Sequence, residues 1–174
     1  VLERLPQTWA TVLDLCTGSG IVAISLARAR AQWQLAASDL SPEALAVAKE
    51  NGARLGVAVE WRQGDLFAPW QGRHFDAIVS NPPYISTEEY RTLAPEVHKE
   101  PELALLAAHD GLAFYERLTA EAAAYLLPGG WLAVEIGWQQ GPAVVELFEK
   151  HGFKEVSCLP DGQGHDRVVC GHIE

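Results

Sequence analysis

Apolar residues recur along this chain in two alternating rhythms: short continuous runs, and longer stretches spaced three and four apart. The runs, bounded by Gly, Asp, Asn or Pro, predict strands near 11–16, 34–39, 57–61, 74–80, 130–136, 153–159 and 166–172. The stretches between them predict helices near 20–30, 42–54, 109–127 and 139–150. Such alternation means a mostly parallel seven-stranded sheet with helices on both faces, and nearly unbroken apolar strands suit burial on both sides. The last two strands are joined only by Pro160–His165, too short for a crossover, so the C-terminal strand is expected to be antiparallel. Ser41-Pro42-Glu43 starts one helix with a capping serine, and Pro128-Gly129-Gly130 reads as the end of another. The stretch 85–108 has no clear period, and loops of that length in compact domains usually serve function, here as a lid or substrate-binding wall.

Polar residues interrupt this pattern at successive strand ends. Asn81-Pro82-Pro83-Tyr84 follows the run Phe75-Asp76-Ala77-Ile78-Val79-Ser80. Asn81 Oδ1 and the Pro82 carbonyl can accept both hydrogens of an NH2 group, and the Tyr84 ring can stack on the plane that carries it. Two prolines fix φ and remove donors, leaving carbonyls toward a ligand. Upstream, Gly18-Ser19-Gly20 joins the first strand to a helix, with Ala23 at the third position of the G-x-G-x-x-G/A pattern. Asp39 ends the next strand 19 residues beyond Gly20 (39 − 20), the distance at which an acid accepts ribose hydroxyls. Asp65, in Gly64-Asp65-Leu66-Phe67, is placed to accept from an adenine amine.

Each acid alone is more often a cap or turn former. The ordered set points to one crevice at the carboxyl edge of a parallel sheet. Its ligand is a nicotinamide dinucleotide or S-adenosylmethionine, and the second is preferred because Asp14, ahead of the loop, can engage an ammonium directly or through water.

Charge narrows the partners. The net charge of −10, with thirteen scattered basic residues, lacks the stripe that grips nucleic acid and favours a basic protein partner. No apolar run approaches the ~20 residues of a membrane span, and the opening residues are no signal peptide, which places the chain in the cytoplasm. Cys16, Cys158 and Cys170 show no C-x-x-C spacing, and the six histidines form no ligand pattern, so no metal is expected. The thiols are read as reduced, although Cys158 and Cys170 flank a turn and can face each other.

Asp-Leu-Cys-Thr-Gly-Ser-Gly-Ile, Ser-Asp-Leu-Ser-Pro-Glu-Ala-Leu, Gly-Asp-Leu-Phe and Ile-Val-Ser-Asn-Pro-Pro-Tyr-Ile, in this order, resemble class I S-adenosylmethionine-dependent methyltransferases. Later blocks around Lys99-Glu100-Pro101, Val134-Glu135-Ile136-Gly137-Trp138-Gln139-Gln140-Gly141 and Asp166-Arg167-Val168-Val169 narrow the resemblance to the release-factor glutamine methyltransferases. It implies a Rossmann-like α/β fold and S-adenosyl-L-methionine held by Asp14, Thr17, Gly18, Ser19, Gly20, Asp39, Leu40, Asp65, Leu66 and Asn81. Asn81, Pro82 and Tyr84 would carry catalysis, and Pro83 and Glu100 would join them in binding substrate, with Glu135 a further candidate for orienting it.

The implied partner is a peptide chain release factor, methylated on the side-chain amide nitrogen of its Gly-Gly-Gln glutamine. Three alternatives are methylation of an adenine or guanine amine in DNA or RNA, methylation of a glutamine in a ribosomal protein, and a non-catalytic cofactor-binding module. Members of that family carry a small helical domain ahead of the glycine loop, whereas this chain reaches Asp14 almost at once and contains no methionine. Residues 1–174 are therefore read as the catalytic domain with the helical domain absent.

Overall fold

Side chains alternate across a strand, and here that alternation builds two cores on one sheet. The computed structural model describes residues 2–5, 8–83 and 111–174. Its strands are β1 (Thr11–Leu15), β2 (Gln34–Asp39), β3 (Val59–Gln63), β4 (Phe75–Ser80), β5 (Leu126–Glu135), β6 (Lys154–Pro160) and β7 (Asp166–His172), in the order β3-β2-β1-β4-β5-β7-β6. Strands β3 to β5 of that order are mutually parallel, while β7 runs antiparallel to both β5 and β6. The chain winds outward from β1 to β3 and then returns to β4, so the reversal opens a crevice at the carboxyl ends of β1 and β4.

Helices α1 (Ile21–Ala29), α2 (Pro42–Arg54), α3 (Ala113–Glu121) and α4 (Gly141–Lys150) cover the sheet. Val12, Leu35, Ala77 and Val79 point to one face, where Leu26 of α1 and Trp33 complete a core. Leu13, Leu15, Ala36 and Ile78 point to the other, against Trp70, Phe75, Tyr115 and Leu118 of α3, and Val144 and Phe148 of α4. Full burial of side chains such as Leu118 or Phe148 contributes roughly 1.5–3 kcal/mol each, which fixes α3 and α4 to the sheet. At the start of α2, Ser41 Oγ accepts from Ala44 N at 3.1 Å and Pro42 occupies the first turn, as their order in the chain predicts.

Several boundaries differ from expectation. Strand β1 stops at Leu15 because Cys16 turns left-handed, with φ 56°. Strand β3 spans 59–63 instead of 57–61, since Val57 is used to close the end of α2, its N–H donating to Gly52 O at 3.1 Å. The helix expected over 109–127 is α3 followed by a 3-10 turn at Ala122–Tyr125. Pro128-Gly129-Gly130 does not end it. Those residues form an irregularity inside β5: pairing with β4 shifts between Phe75 and Ala77, Gly129 adopts φ 77° and its N–H donates to Ile173 O at 3.1 Å. Cys158 and Cys170 do not face each other either. Cys170 lies opposite Ser157 and Cys158 opposite Val169, so the two thiols project from opposite faces of the hairpin, and all three cysteines are free.

Candidate active site

The first strand end is organised by Asp14. Helix α1 has Gly20 at its N-cap and no acid in its first turn, so its exposed N–H groups need an acceptor from elsewhere. Asp14 supplies it. Its Oδ2 accepts from Ala23 N at 3.1 Å and from Thr17 Oγ1 at 2.6 Å, which locks strand, loop and helix together. Only 1% of the residue is exposed. Burial pushes the Asp14 carboxyl up to about 7, against the lowering effect of the Thr17 and Ala23 hydrogen bonds, and the nearby Asp39 charge adds to the rise. A pyrophosphate would use this helix terminus, but the Asp14 carboxyl already occupies it, taking the Ala23 N–H. The crevice therefore suits a cationic ligand better than a dinucleotide. Since Asp14 lies behind the loop, the mediated route to an ammonium fits its burial and direct contact does not.

Asp39 binds the next two loops to each other. Its Oδ2 accepts from Gly18 N at 2.8 Å and its Oδ1 from Ser41 N at 2.9 Å. Among the described residues each oxygen keeps a further lone pair, as a pair of ribose hydroxyls requires. The two loop glycines differ in purpose. A side chain on Gly18 (φ 55°) would meet nothing within 4 Å, so this residue borders open space where a ligand can approach the backbone. A Cβ on Gly20 (φ 82°) would lie 3.0 Å from Trp61 Cη2 and 3.1 Å from Ala48 Cβ, so this residue serves the packing of α1 on β3 and α2. Between them, Ser19 O accepts from Asn51 Nδ2 at 3.0 Å. Leu40 is exposed at the rim, its carbonyl accepting from Gln63 Nε2 at 3.2 Å.

Two of the three left-handed non-glycine residues among those described lie at the same edge, the third being Glu155 in β6. Cys16 and Leu66 are both left-handed, φ 56° and 43°, and both follow strands that end at the crevice. Non-glycine residues in this region cost on the order of 1–3 kcal/mol each and cluster where a loop must aim something at a ligand. Burial raises the Cys16 thiol to about 12, with Asp39 the largest charge contribution, so it is a packed and unreactive wall of the site. Asp65 presents its carboxylate beside this wall, and Arg117 of α3 meets it with two parallel hydrogen bonds, Nη1 to Oδ1 at 3.1 Å and Nη2 to Oδ2 at 2.8 Å.

Beyond β4, Ser80 Oγ donates to Leu15 O at 2.9 Å and pins the strand to β1. Ser80 also pairs with Val134, so Asn81 leaves the sheet between the β1 loop and the end of β5. Asn81 is exposed at the crevice while Pro82 and Pro83 are buried, a rigid base under an accessible amide. Tyr84, Glu100 and the stretch 85–108 lie outside the described residues. On the far side, Tyr115 donates from its hydroxyl to Glu135 O at 3.0 Å, and Gln140 Oε1 accepts from Gly137 N at 2.9 Å. These bonds fix the turn after β5 against α3.

The structure thus brings Asp14, Thr17, Gly18, Gly20 and Asp39 into one hydrogen-bonded cluster, with Ser19 tied to Asn51 beside it; Leu40, Asp65 and Asn81 are exposed around it, whereas Leu66 is buried in the core. Sequence reasoning missed Arg117, Trp61 and Asn51. Arg117 lies in no motif, and Trp61 reads as an ordinary strand residue, so neither carries a signal of its own. Among the described residues no cluster of His, Cys, Asp and Glu is arranged to hold a metal, and no helix is long and apolar enough to cross a membrane.

The reversed last strand, the switch point between β1 and β4 and the acid-led crevice define a class I methyltransferase fold. Two solved structures share it: a methyltransferase from Pyrococcus furiosus (TM-score 0.76, 20% identity, covering 98% of this chain and 78% of that one) and a ribosomal protein L11 methylase from Lactobacillus delbrueckii subsp. bulgaricus (TM-score 0.71, 22% identity, covering 99% and 75%). Residues 1–100 match the family model of the methyltransferase small domain, and the chain belongs to that family. It is also similar to release factor glutamine methyltransferases. That of Cereibacter sphaeroides is 49% identical over 172 residues (97% of this chain, 62% of that protein), and that of Geobacter sulfurreducens 43% identical over 173 residues (99% and 61%). The chain therefore spans about three fifths of the length of these relatives.

Proposed function

We propose that this chain transfers a methyl group from S-adenosyl-L-methionine to the side-chain amide nitrogen of the glutamine in the Gly-Gly-Gln motif of a peptide chain release factor. The observation that carries the cofactor assignment is the pair of acids behind the glycine loop. Asp39, which among the described residues keeps one lone pair on each oxygen, suits ribose hydroxyls, and the Asp14 carboxyl takes up the helix N–H where a pyrophosphate would otherwise sit. Similarity at 43–49% identity to proteins named for release-factor glutamine methylation supports the acceptor. The net charge of −10 agrees with a basic protein partner. The exposed Leu40 and the half-exposed Asp65 are assigned to the adenosine end of this crevice, with the backbone of the buried Leu66 beside them.

The bound cofactor supplies an electrophilic methyl on a sulfonium. The chain's own task is to present a poor nucleophile, because an amide lone pair is delocalised into its carbonyl. Asn81 Oδ1 and the Pro82 carbonyl accept the two amide N–H groups, which aims the nitrogen and favours electron density on it. Tyr84 holds the amide plane, and Pro83 and Glu100 extend the acceptor side. Positive charge builds on nitrogen during transfer, so these acceptors stabilise the transition state more than the ground state. The methylated nitrogen's extra proton is very acidic and leaves to water, so no strong base is needed.

The test incubates the chain with labelled S-adenosylmethionine and, in parallel, an intact release factor, duplex DNA and RNA. Label enters the factor, and mass spectrometry finds a single added methyl on the Gly-Gly-Gln glutamine. Incorporation into nucleic acid with none into the factor would overturn the acceptor assignment.

A further inference from the structure

The three acids of the crevice are held in different ways. Asp14 is fixed by Thr17 and Ala23, and Asp39 by the backbone of Gly18 and Ser41, all within the loops the acids themselves organise. Asp65 is gripped by a side chain of a distant helix. Its partner Arg117 stands on α3 between Tyr115 and Leu118, both fully buried, and Tyr115 is further tied to β5 through its hydroxyl. The guanidinium is thus a fork mounted on a rigid helix. Asp65, by contrast, precedes the left-handed Leu66, so favourable backbone geometry does not set its aim.

Two parallel N–H bonds use one lone pair on each Asp65 oxygen and orient the carboxylate plane, and among the described residues one lone pair on each oxygen remains. Asp65 and Arg117 are about half exposed, so their attraction contributes little to folding. The Asp65 charge, like that of Asp39, helps to raise the Cys16 thiol, which sets Asp65 at the same wall as Asp39.

We propose that Arg117 is the positioning residue for adenine recognition, its guanidinium turning Asp65 so that a remaining carboxylate lone pair receives the exocyclic amine of the cofactor. This rests on the cofactor reading above. It assigns the choice of base to a side chain outside every recognisable motif, and it couples the cofactor pocket to α3.

Calorimetric titration with S-adenosylhomocysteine and with its inosine counterpart, in which a carbonyl oxygen replaces the amine, tests the proposal. The wild-type chain should prefer the adenosine compound by roughly tenfold or more, as a charge-assisted hydrogen bond implies. Arg117→Met should reduce that preference to about threefold or less, mainly by weakening the adenosine compound, while thermal melting of the unliganded chain stays near wild type. Arg117→Lys should restore part of it, since an ammonium can attract Asp65 but cannot fork onto it. Asp65→Asn should match Arg117→Met, and combining the two should add nothing further. A wild-type preference retained in Arg117→Met overturns the role of Arg117 while leaving the cofactor reading intact, and equal loss of both compounds overturns it in favour of a structural role. If the wild-type chain binds both compounds equally, the assignment of Asp65 to adenine fails, and the role of Arg117 with it. Binding of neither compound overturns the cofactor reading itself.

Discussion

Replacing Asp14 with asparagine separates the cost of a buried carboxylate from its use. The carboxyl titrates near 7 in the folded chain, against an ordinary value of 3.8. At about 1.4 kcal/mol per pH unit the gap amounts to about 4 kcal/mol. Between pH 3.8 and 7 the unfolded chain has released this proton and the folded chain still holds it. Stability contributed by this group is therefore full below pH 3.8, falls as pH rises toward 7, and is level above that. Asparagine keeps the shape and an amide oxygen that can accept from both Thr17 and Ala23, but it carries no charge to desolvate. Urea unfolding of the two proteins should show the variant gaining on wild type by about 4 kcal/mol between pH 4 and pH 8, with the gain complete by about pH 7. Cofactor binding should move the opposite way. A cationic ligand favours the ionised carboxylate, so wild-type affinity should rise with pH from about 5 to 8 with proton release, while the variant binds more weakly and shows a flat profile. Parallel stability curves for the two proteins across this range would refute the burial argument, and a pH-independent wild-type affinity would show that the Asp14 charge does not act on the ligand.

Three further outcomes follow from the same geometry. Asp39→Ala removes the acceptor of Gly18 N and Ser41 N together with the ribose contact, and calorimetry should show cofactor affinity falling at least about tenfold, given ~1.5–3 kcal/mol per charged hydrogen bond; unchanged affinity would exclude Asp39 from the site. Asn81→Ala should lower turnover by roughly 10²–10³ and leave cofactor affinity within a few fold, because the role proposed for the amide is to hold the acceptor; equal losses in both would mean that Asn81 shapes the cofactor pocket. Gly20→Ala should lower the melting temperature more than Gly18→Ala, since both pay about 1–2 kcal/mol for left-handed backbone but only the former drives a Cβ to within 3.0 Å of Trp61. Equal melting temperatures would remove the packing role of Gly20.

What the sequence makes legible tracks how local the deciding interaction is. The two-faced burial of Val12 against Leu13, and of Leu35 against Ala36, follows from alternation alone, so the sheet and its cores could be anticipated. The start of α2 is written in Ser41 and Pro42 side by side. The C-terminal end of β1 and the course of β5 were not legible, because a left-handed cysteine and a Pro-Gly-Gly irregularity are fixed by neighbouring strands instead of by their own composition. The three crevice acids show the same gradient. Asp14 finds its partners within nine residues, Asp39 reaches 21 residues back to Gly18, and Asp65 meets an arginine 52 residues away. The motif spacing places each acid at a strand end, yet only the nearest partnership can be inferred from the chain itself. Arg117 sits at the far end of that gradient. An arginine on the outer turn of an amphipathic helix is indistinguishable in sequence from any solvated charge, and it acquires a role only once the sheet brings the β3 loop under α3. Specificity for the base would then be set by tertiary placement, while the motifs supply only the groups it acts on.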